Sequence, residues 1–133
     1  MSAVVAGRKG ILMKYFVLLA GYGEMPLWED LSPEEQEAGL AQHYAFAEAC
    51  AARDGVEMLG GEALADVSMA TTLRTRNGEL VVTDGPFAEA AEHIGGFYVI
   101  DAPDLDTLID LCKVLPAYDM EIRPVLDMPE DAG

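Results

Sequence analysis

The sequence is poor in basic residues. Of its 133 residues, eight are Lys or Arg and 24 are Asp or Glu, which gives a formal net charge of −16. Three of the bases precede the first acid, Glu24, so residues 15–133 carry five bases against 24 acids. A protein that binds a phosphate backbone or an anionic membrane surface needs a basic patch. The composition therefore argues against nucleic acid and against a membrane as partners.

The chain also lacks long apolar runs and a secretion signal. Its longest strand-like apolar run, residues 15–20, is far shorter than a membrane-spanning helix. The amino terminus has no basic start followed by a long apolar region and a cleavage site. These features predict a cytoplasmic protein. We expect a tail or extension over residues 1–12, one domain over 13–128 and an acidic tail over 129–133, because this length suits a single core.

Cysteine and histidine are scarce as well. Cys50 and Cys112 lie in helical patterns beside apolar residues, which predicts buried thiols. His43 and His93 show no ligand spacing typical of a metal site, and the segment around His93 is interpreted as a surface turn. The sequence therefore predicts no metal and no cofactor.

Local signals define a first helix. Ser32 can cap it, Pro33 suits the first helical position, and Glu35 can complete a capping box. Gly55 then supplies a stop after about Arg53. The spacing of four apolar residues predicts the buried face of this helix: Leu40, Tyr44, Ala47 and Ala51.

The remaining elements predict an α+β fold. Asn77-Gly78 is typical of a hairpin turn, here between strands at residues 70–76 and 79–83. A second helix starts near residue 103 and ends at Pro116, with five residues predicted on its buried face: Leu105, Leu108, Ile109, Cys112 and Leu115. With strands near 56–59, 96–100 and 120–125, the order is that of a ferredoxin-like βαββαβ subunit with a central hairpin. Both helices would cover one face of the sheet, so we expect a second copy to cover the other face in a homodimer.

Several ordered segments resemble the YCII-related proteins of the DGPF-domain type. They are residues 31–35 (LSPEE), 60–64 (GGEAL), 70–74 (ATTLR), 82–89 (VTDGPFAE), 95–98 (GGFY) and 122–124 (IRP). The resemblance extends from Met13 to about Met128. It implies a dimeric α+β barrel similar to muconolactone isomerase, with a histidine–carboxylate pair in some members and relatives encoded near extracytoplasmic-function sigma factors. The chain departs from the family where threonine and lysine are common, since it has Ala90 and Ala91, and His93 replaces a common glutamine.

His43 and Asp84 are the candidate catalytic residues. Histidine changes charge near neutral pH, so His43 at the margin of the apolar stripe suits acid–base chemistry, although a structural role is the simpler interpretation. Asp84 suits either a turn cap or a pocket carboxylate, and it could serve as both. Glu24 and Glu62 are alternative partners for His43.

The candidate ligand-binding residues surround these groups on predicted loops and turns. Aromatic side chains on loops favour a pocket, and the glycines allow close approach of a ligand or form a bulge. The set comprises Tyr22, Trp28, Gly85, Pro86, Phe87, Gly95 and Gly96.

Two functional hypotheses follow. The first is a small-molecule pocket with acid–base chemistry of an isomerase or hydrolase type. The second is a non-catalytic dimeric module that acts through a protein partner, linked to extracytoplasmic-function sigma factors. The sequence does not decide whether the protein is an enzyme.

Overall fold

The computed structural model of the chain describes residues 13–20, 28–86 and 94–128. Six strands and two α-helices lie in this part of the chain, in the order β1 (Met13–Ala20), α1 (Pro33–Ala52), β2 (Glu57–Ala63), β3 (Thr71–Arg76), β4 (Glu79–Asp84), β5 (Ile94–Ala102), α2 (Leu105–Cys112) and β6 (Asp119–Pro124). Two 3₁₀ turns, Trp28–Asp30 and Val67–Met69, precede α1 and β3.

Four strands form an antiparallel sheet in the order β2-β5-β1-β6. This order, with two helices packed on one face, confirms the predicted ferredoxin-like α+β fold. Pro124 ends the edge strand β6, where a missing N–H disturbs the ladder least. Strands β3 and β4 form a separate two-stranded sheet. Their turn has positive φ at Asn77 (53°) and Gly78 (80°), as the hairpin signal predicts.

Helix α1 starts and ends as predicted. The Glu35 N–H donates to Ser32 Oγ at 3.1 Å, and the Ser32 N–H donates to Glu35 Oε1 at 2.8 Å. Arg53 is the C-terminal cap, and Gly55 follows with a φ of 77°.

The predicted buried face of α1 is wrong. Phe46 and Cys50 are buried, whereas Leu40 and Tyr44 are 46% and 69% exposed. Alanine occurs on all sides of this helix and fits a buried or an exposed position equally well, so the apolar spacing does not define one face. Packing against the sheet decides which face is buried.

One core lies between the sheet and the two helices. It contains residues of β1, β5, both helices and the turn after α2: Tyr15, Val17, Leu19, Phe46, Cys50, Ile100, Ala102, Leu108, Leu111, Cys112 and Leu115. Both thiols are buried, as predicted, and burial raises the pKa of Cys112 to about 11. The predicted face of α2 is wrong at Leu105 and Ile109, which are exposed, while Leu111 is buried.

The other face of the sheet carries apolar side chains that no helix of the described chain covers. Phe16, Leu18, Phe97 and Val99 alternate with the core residues of β1 and β5 and are half-buried. The rings of Phe16 and Phe97 stack with their centroids 5.4 Å apart. None of the helices in the described part of the chain is long and apolar enough to cross a membrane.

Candidate functional site

The imidazole of His43 lies between two tyrosine hydroxyls. Its Nδ1 is 2.6 Å from the Tyr98 oxygen, and its Nε2 is 2.8 Å from the Tyr118 oxygen. All three side chains are half-buried. We call these residues the Tyr–His–Tyr cluster.

Three elements bring the cluster together. His43 lies on the sheet-facing side of α1, one turn before buried Phe46. Tyr98 shares the core face of β5 with Ile100, and its ring contacts that of Phe46 at a centroid distance of 4.9 Å. Tyr118 lies between α2 and β6, in a tight turn where its N–H donates to the Pro116 carbonyl at 2.7 Å.

Burial favours the neutral form of every group in the cluster. It lowers the pKa of His43 from its ordinary value of 6.5 and raises the pKa of Tyr118 above 10.0. The pKa of Tyr98 is raised by burial first, and then by the nearby Tyr118 and Cys50. At neutral pH the cluster is therefore an uncharged imidazole between two protonated phenols.

This arrangement leaves one phenolic proton unused. In neutral histidine one ring nitrogen donates and the other accepts. One tyrosine therefore accepts the imidazole proton, and the other donates its own hydroxyl proton to the ring. The tyrosine that accepts keeps its own O–H proton, which can be donated to a further acceptor. The cluster can thus donate a proton at one end and accept one at the other.

Gly61 makes room for Tyr98. A Cβ atom on Gly61 would lie 2.5 Å from Tyr98 Cδ1 and 2.9 Å from the Phe97 carbonyl oxygen. The neighbouring Gly60 has no atom within 4 Å of the same position. The strand predicted near 56–59 is longer in the structure: β2 continues through both glycines to Ala63, with a register shift between Met58 and Gly60. Gly61 therefore allows the Tyr98 ring to lie against β2.

Trp28 lies beside the same helix. Its ring would be 3.3 Å from a Cβ atom on Gly39, and its carbonyl accepts a hydrogen bond from the Gln36 side chain at 2.8 Å. Gly39 is one turn before His43 on α1, so the 45% exposed indole lies on the His43 side of the helix. Trp28, one of the residues predicted to bind a ligand, therefore lies on the same side of α1 as His43.

The start of the DGPF segment closes the base of the β3–β4 hairpin. The Gly85 N–H donates to the Ala70 carbonyl at 2.8 Å, and Thr72 Oγ1 donates to the Gly85 carbonyl at 2.6 Å. Gly85 has a φ of 101°, which favours glycine. Asp84 and Pro86 are exposed beside this turn. The amide of Phe87, which a cap by Asp84 would use, lies outside the described residues.

Gly95 and Gly96 bring β5 close to β2. The Gly95 carbonyl accepts the Leu64 N–H at 2.9 Å, and a Cβ atom on Gly96 would lie 2.9 Å from the Glu62 carbonyl oxygen. The close approach of the two strands is sufficient to explain the glycine at position 96, and no ligand is needed to account for it.

Among the described residues, neither Glu62 nor Asp84 forms a hydrogen bond with His43, whose two nitrogens face tyrosines. The predictions for Tyr22, Glu24, Phe87 and His93 fall outside the described residues.

A profile of the YCII-related domain matches residues 13–129. The chain belongs to the YCII-related domain family. This match covers nearly the whole chain and agrees with the resemblance seen in the sequence motifs.

A relative of this YCII-related chain is the "Uncharacterized protein R00369" of Rhizobium meliloti (strain 1021). The two are 46% identical over 67 residues, which cover 47% of this chain and 54% of the relative. The chain thus spans about half the length of that protein, whose name states no activity.

The two tyrosines were missed as site residues of this YCII-related chain. A tyrosine whose ring is partly buried needs a partner for its hydroxyl, and a histidine at a helix margin needs partners for its nitrogens. Tyr98 alternates with Ile100 along β5, so its core-facing direction could have been inferred. Tyr118 gave no such signal, because it follows Pro116 in an irregular turn.

In the described part of the chain, no group of three or more His, Cys, Asp or Glu side chains could hold a metal ion.

Proposed function

We propose that this YCII-related protein binds a small organic molecule at the Tyr–His–Tyr cluster and that His43 exchanges a proton with it. The observation that carries the proposal is the half-buried imidazole with a tyrosine hydroxyl at each nitrogen, at 2.6 and 2.8 Å. The reaction type would be an isomerisation or a hydrolysis, both of which need a proton to be moved.

The lowered pKa of His43 supports a role as general base. A base must be unprotonated at the working pH, and burial keeps the imidazole in that form. The sequence suggested a carboxylate partner for His43. We propose that Tyr98 and Tyr118 take the role of this carboxylate: they orient the ring and can pass a proton to or from a ligand.

Binding and mutation test the proposal. The ¹H–¹³C signals of the His43 ring would be followed by NMR while a panel of small carbonyl compounds is added, and His93→Gln would assign the two histidines. We expect at least one compound to shift the His43 signals, and we expect His43→Gln and Tyr118→Phe to weaken its binding. Circular dichroism and elution volume would verify that both variants stay folded. Unchanged affinity in both variants would contradict the assignment.

We also propose that a second copy of the chain covers the open face of the sheet. Phe16, Leu18, Phe97 and Val99 form an apolar strip on that face. Asp101 lies on the same side of β5, and its buried Oδ1 has no hydrogen-bond partner within the described structure. A second sheet would bury the apolar strip and offer partners to such polar atoms.

Native mass spectrometry at micromolar concentration tests the dimer. The wild-type protein should be dimeric, and Phe97→Glu should be monomeric because it places a charge in the buried strip. Leu40→Glu, on the exposed side of α1, is the matched control and should remain dimeric. A monomeric wild-type protein would contradict the proposed dimer and would not affect the proposal for the Tyr–His–Tyr cluster.

One observation favours the non-catalytic module as a second candidate. Leu73, Leu80 and Val82 share one face of the β3–β4 hairpin and are 54%, 62% and 59% exposed. An apolar face of this kind suits a protein interface. If the module acts through a partner, replacing Leu80 with Lys should abolish that interaction while the His43 signals and the dimer are retained.

A further inference from the structure

Among the described residues, no lysine or arginine is hydrogen-bonded to His43, whose two ring nitrogens face the hydroxyls of Tyr98 and Tyr118. The pKa shifts of His43, Tyr98 and Tyr118 arise from burial and, for Tyr98, also from Tyr118 and Cys50, so no lysine or arginine of the described part of the chain is among their causes. A carboxylate or phosphate bound here would lose water, and no base in the described part of the chain is seen to pair with the cluster as its counter-ion. Such a loss is unfavourable for an ionised group.

Several bases of the described chain are occupied elsewhere. Arg53 and Lys113 lie against Asp110, and Arg123 lies 3.8 Å from Glu121. Lys14 alternates with the core residue Tyr15, so it is on the opposite face of the sheet from the cluster.

The sequence immediately before Trp28 and immediately after Pro86 is also free of bases. Residues 21–27 (GYGEMPL) and 87–93 (FAEAAEH) contain no lysine and no arginine. The net charge of −16 would further disfavour the approach of an anion.

The cluster does offer one hydrogen-bond donor. The tyrosine that accepts the imidazole proton keeps its own O–H, and this hydroxyl can donate to an acceptor on a ligand. The Trp28 indole, on the His43 side of α1, adds an exposed apolar surface for a planar group.

We propose that the cluster selects an uncharged, partly apolar molecule that carries a carbonyl or similar acceptor oxygen, and that it rejects carboxylates and phosphates of the same shape. This inference rests on the proposed function, because it assumes that the Tyr–His–Tyr cluster faces a ligand. Beyond the proposed function, it specifies that the ligand is uncharged and that it accepts a hydrogen bond.

Acetophenone and benzoate make a matched pair of probes. Both place a planar ring beside an acceptor oxygen, and only benzoate is charged at neutral pH. Each would be titrated at millimolar concentration while the His43 ring signals are recorded. High salt would be present throughout, so that repulsion by the net charge is screened and only the local environment discriminates.

We expect acetophenone to shift the His43 signals and benzoate to bind at least about tenfold more weakly. Benzoate binding as tightly as acetophenone, or more tightly, would overturn this inference and leave the proposed site standing. If neither probe shifts the His43 signals, both the inference and the proposed site are overturned. Tyr15→Phe serves as a control variant, since Tyr15 is a core residue outside the cluster and its loss should leave the discrimination unchanged.

Discussion

Replacing Gly61 with alanine should displace Tyr98 and loosen the Tyr–His–Tyr cluster. The new Cβ atom would lie 2.5 Å from Tyr98 Cδ1 and 2.9 Å from the Phe97 carbonyl oxygen. The ring can turn away, but the backbone oxygen is fixed in the β2–β5 ladder. Gly60→Ala is the matched control, because its Cβ would meet nothing within 4 Å. Neither glycine has a positive φ, so the clash is the main difference between the two variants.

The size of the effect follows from this comparison. Glycine-to-alanine replacement stabilises by about 0.4–1 kcal/mol through the unfolded chain, and this contribution is common to both variants. Overpacking destabilises by about 1–3 kcal/mol and applies only to Gly61→Ala. The two variants should therefore differ by roughly 1–3 kcal/mol, which corresponds to a difference in Tm of roughly 4–12 °C for a domain of this size.

Two measurements check the prediction. Thermal unfolding at one fixed protein concentration gives the difference in Tm, and NMR titration gives the pKa of His43. If the Tyr98 ring moves and water reaches His43, its lowered pKa should rise towards 6.5 in Gly61→Ala and stay unchanged in Gly60→Ala. Equal Tm values and equal His43 titrations in the two variants would refute the role given to Gly61.

Three further predictions concern His43 and the hydrogen bonds of the fold. Folding lowers the pKa of His43, so below pH 6.5 the unfolded chain binds more protons than the folded chain. The wild type should therefore lose stability below pH 6.5 relative to His43→Gln, as measured by urea unfolding. Parallel pH profiles of the two proteins would contradict this. Ser32→Ala should lower the free energy of unfolding by about 1 kcal/mol. Glu35→Gln should lower it less, because glutamine also closes the capping box; equal losses in urea unfolding would count against this account. Tyr118→Phe should destabilise by about 1 kcal/mol, as measured by chemical denaturation. Tyr15→Phe should matter less, since its hydroxyl has a weak partner in the described structure, the Met13 sulfur at 3.8 Å. An equal loss in the two variants would show that the hydrogen bond to His43 is not the cause.

Local signals explain which parts of the fold could be predicted. The start of α1 depends on Ser32 and Glu35, three residues apart, and the hairpin depends on Asn77 and Gly78, which are adjacent. Such features are decided by backbone preference and by hydrogen bonds between close neighbours. The buried face of α1 was not decided in this way, because alanine-rich sequence allows several rotations of the helix. The sheet selected the one that buries Phe46 and Cys50.

The sequence by itself determined the strongly acidic charge, the order of helices and strands and the choice of His43 as the central candidate. These follow from composition, from short-range spacing and from the small number of histidines. Only the tertiary structure decided the partners of His43. Tyr98 and Tyr118 are 55 and 75 residues away along the chain. Their contact depends on the register of β5, on the turn before β6 and on the space left by Gly61, and none of these is a property of neighbouring residues.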